Sequence, residues 1–250
     1  MLYGKVIMVA NVATKEASKR AYYGQTEYVD YVIQTNTKNL SFVKLYKELK
    51  EMGIKNNKFF LRLYDRDLLN VDPFSKTLSE LEKKKIVAEI RKNPYYYLRE
   101  VVRIPIPGGV QRFELHRGNL ALTWCIFNSL DFIIELPRQR YKTVSIVSAL
   151  SWVFHFNTSN THMIFNNKSL GDAKNNLKRF KDTIDNLPNF VKEAISSSGD
   201  ENNIEKISSA RRNNKIEIVG PQITEAEADK AGRGMSIPVF WGDELESKLI

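Results

Sequence analysis

Two stretches hold residues that could handle a phosphate: Arg138-Gln139-Arg140-Tyr141-Lys142-Thr143 and, about a hundred residues later, Asp243-Glu244. A Lys-Thr pair at the mouth of a helix, directly after a buried strand, matches the end of the phosphate-binding pattern G-x-x-x-x-G-K-[ST]. There the lysine meets the β- and γ-phosphates and the hydroxyl meets magnesium. Leu136 and Tyr141 stand where that pattern has glycines. Nucleotide hydrolysis further needs one acid to hold Mg2+ and a second to orient or deprotonate water, and Asp243 and Glu244 supply such a pair. Each half alone has a plainer reading, as an exposed helix start with an incidental lysine and as a solvated acidic turn. Their order and separation, suited to two strands of one α/β core, favour the joint reading.

The elements that must position these residues follow from periodicity. Phe132–Leu136 reads as a short buried strand and Thr143–Phe154 as the helix after the loop. Thr161–Phe165 predicts a further strand, and Ser169–Leu187 an amphipathic helix with Leu177, Phe180, Ile184 and Leu187 along one side, closed by Pro188. Ser196–Asn203 reads as loop and Lys215–Val219 as a strand. The polar stretch Thr224–Ser236 then delivers the last strand, Ile237–Trp241, to the two acids. Strands alternating with helices of this length predict an α/β fold with a mainly parallel sheet, which binds ligands at the carboxyl ends of its strands.

Upstream, the first hundred or so residues read as helix-rich. Ser41–Met52 places Phe42, Leu45, Tyr46 and Leu49 at helical spacing; Ser75–Lys92 carries Leu78, Leu81, Ile86 and Ile90 and ends at Asn93-Pro94. Tyr95-Tyr96-Tyr97 could stack on bases or, within a helical segment, join subdomains by packing. The prolines and glycines of Ile104–Gly109 predict a break in regular structure between a helical subdomain, 1–103, and the core, 110–250, which Glu114–Phe127 opens as a helix.

Composition bounds the rest. The chain of 250 residues has 38 Lys+Arg against 29 Asp+Glu, a net charge of +9. That excess suits a polyanionic partner, or simply a basic protein. No apolar run is long enough to cross a bilayer, and the N-terminal MLYGKVIMVANVATKEASK lacks a long apolar region leading to a cleavage site, so a cytosolic, reducing compartment is expected. The single Cys125 excludes an internal disulfide and reads as a small buried side chain. His116, His155 and His162 are scattered over separate elements, make no zinc site with it and read as structural.

From about Phe113 to Glu246 the chain resembles the ATPase domain of the large terminase subunits of tailed bacteriophages, the motors that pump DNA into capsids. The likeness rests on an order of features. Arg138 to Thr143 follows that family's loop core R-Q-x-G-K-[ST] except at the glycine; Asn166-Asn167-Lys168 follows the next strand; Leu187-Pro188 ends the long helix; Arg233-Gly234 precedes the acidic strand; and Asp243-Glu244 closes it. The resemblance implies a P-loop (RecA/ASCE-like) sheet flanked by helices, with ATP and Mg2+ as cofactors. It assigns Pro137, Arg138, Gln139, Arg140, Tyr141, Lys142 and Thr143, with Arg117 and Arg233, to the nucleotide, and Thr143 and Asp243 to the metal. Arg138 becomes the cis arginine that stabilises transferring phosphoryl charge, Gln139 a brace for the loop and Glu244 the catalytic base. The partners it implies are double-stranded DNA, a portal protein, a small terminase subunit and further copies in a ring, expected to be a pentamer, on the capsid in the host cytoplasm, with no membrane.

Three departures qualify what carries over. Tyr141 replaces the glycine that lets a loop backbone approach phosphates, which implies a wider loop or lower affinity. Arg117 stands near where the family often reads the adenine edge with a Gln, and arginine can stack on the base without copying the paired amide contacts. After its acidic strand the family continues through a coupling motif into an RNase H-like nuclease, and none of that follows here. The chain therefore reads as an incomplete motor whose Asp243 strand lacks a next strand to pair with it, and weak or absent turnover by this chain alone is expected. The R-Q-x-x-K-T core argues against a helicase-like ATPase of another class. Tyr141 supports the alternative of a nucleotide-binding or interaction module without hydrolysis.

Overall fold

The computed structural model describes residues 31–136, 141–220 and 238–243, together with the backbone of strand β1 (Gly4–Ala10). Beyond β1, a short strand β2 (Val32–Ile33) leads into helix α1 (Leu40–Glu51) and pairs antiparallel with β3 (Arg62–Leu63). Helix α1 buries Phe42, Leu45 and Leu49, as their spacing predicts. Helix α2 (Glu80–Lys92) starts five residues later than its apolar stripe suggests, because Ser79 caps it. Ser79 Oγ accepts from Glu82 N–H at 3.2 Å while the Glu82 carboxylate accepts from Ser79 N–H at 2.8 Å, the reciprocal box that S-x-x-E encodes. Ile86 and Ile90 are buried, whereas Leu81 is exposed.

Asn93 ends α2 and caps the next turn, α3 (Pro94–Tyr96), through Tyr96 N–H at 3.0 Å. A π-helical turn, Tyr97–Val101, continues it. Tyr95, Tyr96 and Tyr97 are all buried, so of the two readings of this cluster the packing one holds. Ile104–Gly109, expected to be irregular, is instead most of a hairpin: β4 (Arg103–Ile106) pairs antiparallel with β5 (Gly109–Arg112). Pro107-Gly108 makes its corner, with Gly108 at φ +84°. A two-stranded ribbon leaves each strand an open edge, which is why Pro105 and its missing N–H are tolerated there.

The alternating half of the sequence forms the main sheet, with helices packed against it. Helix α4 (Arg117–Phe127) precedes β6 (Phe132–Leu136), and helix α5 (Lys142–Trp152), extended by a π-helical turn to Asn157, leads to β7 (His162–Asn167). Helix α6 (Leu170–Asp185) begins where Ser169 Oγ accepts from Asp172 N–H at 3.1 Å, and it is followed after Pro188 by α7 (Asn189–Ile195), β8 (Lys206–Ser209), β9 (Asn214–Val219) and β10 (Val239–Asp243). The strand order is β6-β1-β10-β7-β9-β8. β10, β7 and β9 run parallel, β8 is antiparallel at the edge, and β1 lies antiparallel between β6 and β10. β6 therefore points the same way as β10, and Leu136, Asp243, Asn167 and Val219 end on one edge.

This is a mixed α/β fold with a mostly parallel sheet. β10, expected to want a neighbour, has two: Asp243 lies opposite Val6 of β1 and Asn167 of β7. One hydrophobic cluster runs from Phe42 of α1 through the tyrosines to Trp241 of β10. No described helix is long and apolar enough to cross a membrane.

Candidate functional site

Two structural features bring the separated motifs together. The first is the start of α5. Tyr141 occupies its N-cap in the left-handed conformation, φ 55° and ψ 19°, and its side chain makes no capping bond to the helix. The Tyr141 carbonyl accepts from both the N–H and the Oγ of Ser145, at 2.9 and 2.7 Å. Every residue from Ser145 to Trp152 is buried, and Ser145, Ser148, Ala149 and Ser151 keep the surface small where α4 and α6 pack on the helix. Tyr97 Oη lies 2.8 Å from Ser151 Oγ, which fastens the helix to the tyrosine cluster. No acid occupies its first turn, so the partial positive charge of the helix start is not offset from within.

The second feature is the end of β10. Trp241 is fully buried, packed edge-on against Phe165 of β7 with ring centroids 4.9 Å apart. Two residues on, Asp243 is 5% exposed. Its Oδ1 lies 2.9 Å from Lys142 Nζ, and its Oδ2 accepts from Thr143 Oγ1 at 3.4 Å. The lysine contact is an ion pair without hydrogen-bond alignment, so Oδ1 has no aligned donor among the described residues. On the adjacent strand the buried Oδ1 of Asn166 also has no partner among the described residues, and Asn167 Oδ1 accepts from Lys168 N–H at 2.7 Å.

A buried carboxylate thus lies beside an uncapped helix start, held by the lysine and hydroxyl of that start. Chemically, the arrangement offers an anion site with its own cation. Thr143 and Asp243 are hard oxygen donors of the kind Mg2+ takes, usually with one or two carboxylates and the remaining positions filled by phosphate and water. Asp243 Oδ1, buried and 2.9 Å from Lys142 Nζ without an aligned hydrogen bond, is an acceptor such an ion would satisfy in place of the lysine, so the residues fit it. Among the described residues no group of three or more His, Cys, Asp or Glu is placed to hold a metal.

The other sequence-predicted residues fall as follows. Arg117 is the first residue of α4 and lines a shallow cavity of about 300 Å³ with Leu49, Phe59, Leu120 and Trp124. Its neighbour His116 caps α4 through reciprocal bonds with Asn119, at 3.3 and 2.7 Å, and its ring centroid lies 6.4 Å from that of Tyr141. His116 is therefore structural, as the sequence suggested, and it also flanks the start of α5, which no sequence signal disclosed.

His155 is half-buried, with its Nδ1 out of water and its ring stacked on Phe180 at 6.1 Å; that desolvation, with Arg212 adding to it, pushes its pKa down to about 3. His162 lies 2.8 Å from Glu217, and burial and Lys215 lower its pKa against the pull of that carboxylate. Neither histidine is in contact with Asp243. Cys125 is half-buried, and burial pushes its thiol pKa up. Pro137, Arg138, Gln139, Arg140, Arg233 and Glu244 lie outside the described residues. Compared with protein-family models and with curated proteins, the chain matches none.

Proposed function

We propose that this chain is the ATPase portion of a DNA-packaging motor of the large-terminase type, coupling ATP hydrolysis to movement of duplex DNA into a capsid. The observation that carries the reading is the meeting of Lys142, Thr143 and Asp243 across 100 residues of sequence at the carboxyl edge of a mostly parallel sheet. In the resting protein Asp243 occupies the lysine. With nucleotide bound, Lys142 would meet the phosphates in place of the carboxylate, and Asp243 and Thr143 would hold Mg2+. The metal, when bound, neutralises and orients the phosphate oxygens.

Glu244, one residue beyond Asp243, accepts the proton of the attacking water, and Arg138 stabilises charge on the transferring group. Arg117 stacks on the base. Duplex DNA, a portal protein, a small terminase subunit and further copies in a ring are the partners this reading brings, and the host cytoplasm its place of action.

Titration with a fluorescent ATP analogue, with and without Mg2+, tests the nucleotide site. Lys142→Ala should abolish binding and Asp243→Asn should remove its Mg2+ dependence, while binding that both variants leave unchanged overturns the reading. Glu244→Gln should keep binding and stop phosphate release. A second reading, a nucleotide-binding module without hydrolysis, draws on Tyr141, a residue 43% exposed where a phosphate-binding loop usually has no side chain. Binding without phosphate release in the otherwise unaltered protein would favour it.

A further inference from the structure

The opposite edge of the sheet carries a second concentration of charge. Between β8 and β9 the chain turns through Ala210-Arg211-Arg212-Asn213, with Asn213 at φ 51°. This turn is rigidly held: Asn160 N–H donates to the Arg212 carbonyl at 2.9 Å and Asn213 Nδ2 to Asn160 Oδ1 at 2.9 Å. Buried Asn214 donates to the Phe154 carbonyl at 2.7 Å and accepts from Thr161 N–H at 2.8 Å.

The two guanidinium groups are oriented by neutral acceptors. Arg211 donates to the Ala194 carbonyl, and Arg212 to the Thr158 carbonyl at 3.4 Å and Ser159 Oγ at 3.3 Å. Arg91 is exposed at the end of α2, which packs on α7, the helix whose Ala194 carbonyl takes Arg211, and on the π-helical turn ending at Asn157; its charge adds to the positive potential at Arg212, as that of Arg211 does. Among the described residues none of the three has a carboxylate partner. The nearby Asp200 is engaged by backbone N–H groups, those of Ala210 and Ser197, each at 2.8 Å. Glu193, exposed on α7, is paired with none of the three. Three unneutralised guanidiniums on a braced turn and a helix end still have most of their donors free, in the fork geometry that matches phosphate oxygens.

We propose that Arg91, Arg211 and Arg212 form a contact surface for the phosphate backbone of duplex nucleic acid, separate from the Lys142–Asp243 site. The choice of DNA as the polyanion rests on the packaging-motor reading; the patch itself does not. Contacts of this kind position a duplex without reading its sequence, and each phosphate neutralised contributes about −0.9 to the slope of log K against log salt.

The test is anisotropy of a short fluorescein-labelled duplex of mixed sequence, titrated with the full chain at several salt concentrations without nucleotide. Changing all three arginines to Gln should reduce the slope by about 2 to 3, so that moving from about 50 to about 200 mM salt weakens the variant some 40-fold less than its parent. The triple Lys variant, which keeps the charge, should retain most of the slope. An unaltered urea midpoint shows that the Gln variant is folded. A slope unchanged in the folded Gln variant, no duplex binding by the parent at low salt, or a preference for an acidic protein over the duplex overturns the proposal. Because nucleotide is absent, these results stand apart from the motor reading, which fails instead if the chain binds duplex through the patch but binds no ATP analogue.

Discussion

Asp243→Asn and Lys142→Met, singly and together, probe whether the buried ion pair is the hinge of the candidate site. Side-chain exposures of 13% for Lys142 and 8% for Asp243 put both charges largely out of water, 2.9 Å apart. At an effective dielectric of about 20, two charges at that distance attract by about 6 kcal/mol, much of which offsets the several kcal/mol each ion loses in desolvation. The pair therefore adds little net stability, but removing one member leaves the other charge buried and uncompensated, at a cost of about 3–5 kcal/mol. Each single variant should lower the unfolding free energy by about that much. The double variant, with no stranded charge, should be less destabilised than either single variant and far short of the sum of the two. Urea unfolding with constant m-values reads the cycle. Additive single effects would mean that the contact is incidental, and with it the notion that nucleotide competes with Asp243 for Lys142 would fall.

Tyr141→Gly should tighten binding of the ATP analogue several-fold with little change in stability. The left-handed backbone at Tyr141 costs about 1–2 kcal/mol, a gain that glycine's greater unfolded freedom, about 0.5–1 kcal/mol, partly cancels; weaker binding in a titration would count against a phosphate at this loop. Thr143→Ala should keep Mg2+-free binding and lose the Mg2+-dependent increment, visible in the same titration. On the motor reading, Arg138→Ala should abolish phosphate release while leaving thermal unfolding largely unchanged. His155 predicts an acid limb to stability. Its pKa is about 3 in the fold against about 6.5 unfolded, so the neutral form is favoured and stability is full above about 6.5. That stability is lost as pH falls toward 3, by up to about 1.4 kcal/mol per unit. His155→Phe should flatten urea midpoints between about pH 6.5 and 5, leaving a residual slope from His162, whose pKa is lowered in the same sense.

The elements that could be read from sequence were those with one dominant signal. Strand β6, helix α1 and helix α6 came from periodicity alone, within a few residues of their structural ends. Where a cap decides a boundary, periodicity overshoots, as at Ser79, although S-x-x-E stated the start of α2 in plain letters. The hairpin at Pro105 was missed because proline argues against a strand only where its N–H is required. β8 and α7 were too short to show a period. The pairing of β1 with β6 and β10 is a long-range contact that no local pattern encodes. At the site, residue types and order sufficed to nominate Lys142, Thr143 and Asp243, but not the proximity of His116 to Tyr141, which depends on how α4 packs against α5.

Tyr141 shows why a missing glycine is weaker evidence than it looks. The motif's glycine supplies two separable things, a backbone free to take positive φ and a bare surface for phosphate oxygens. Tyr141 retains the first, at φ 55°, and forfeits the second. Its side chain is exposed and lies toward His116, with no capping bond to α5, so Tyr141 itself offers the helix N–H groups no side-chain acceptor. Geometry for anion binding therefore survives the substitution at this position, and what the tyrosine alters is how closely an anion can approach. That predicts a change in affinity more than a loss of the site, which the Tyr141→Gly titration measures, whereas phosphate release by the unaltered protein is what separates the two readings of this chain.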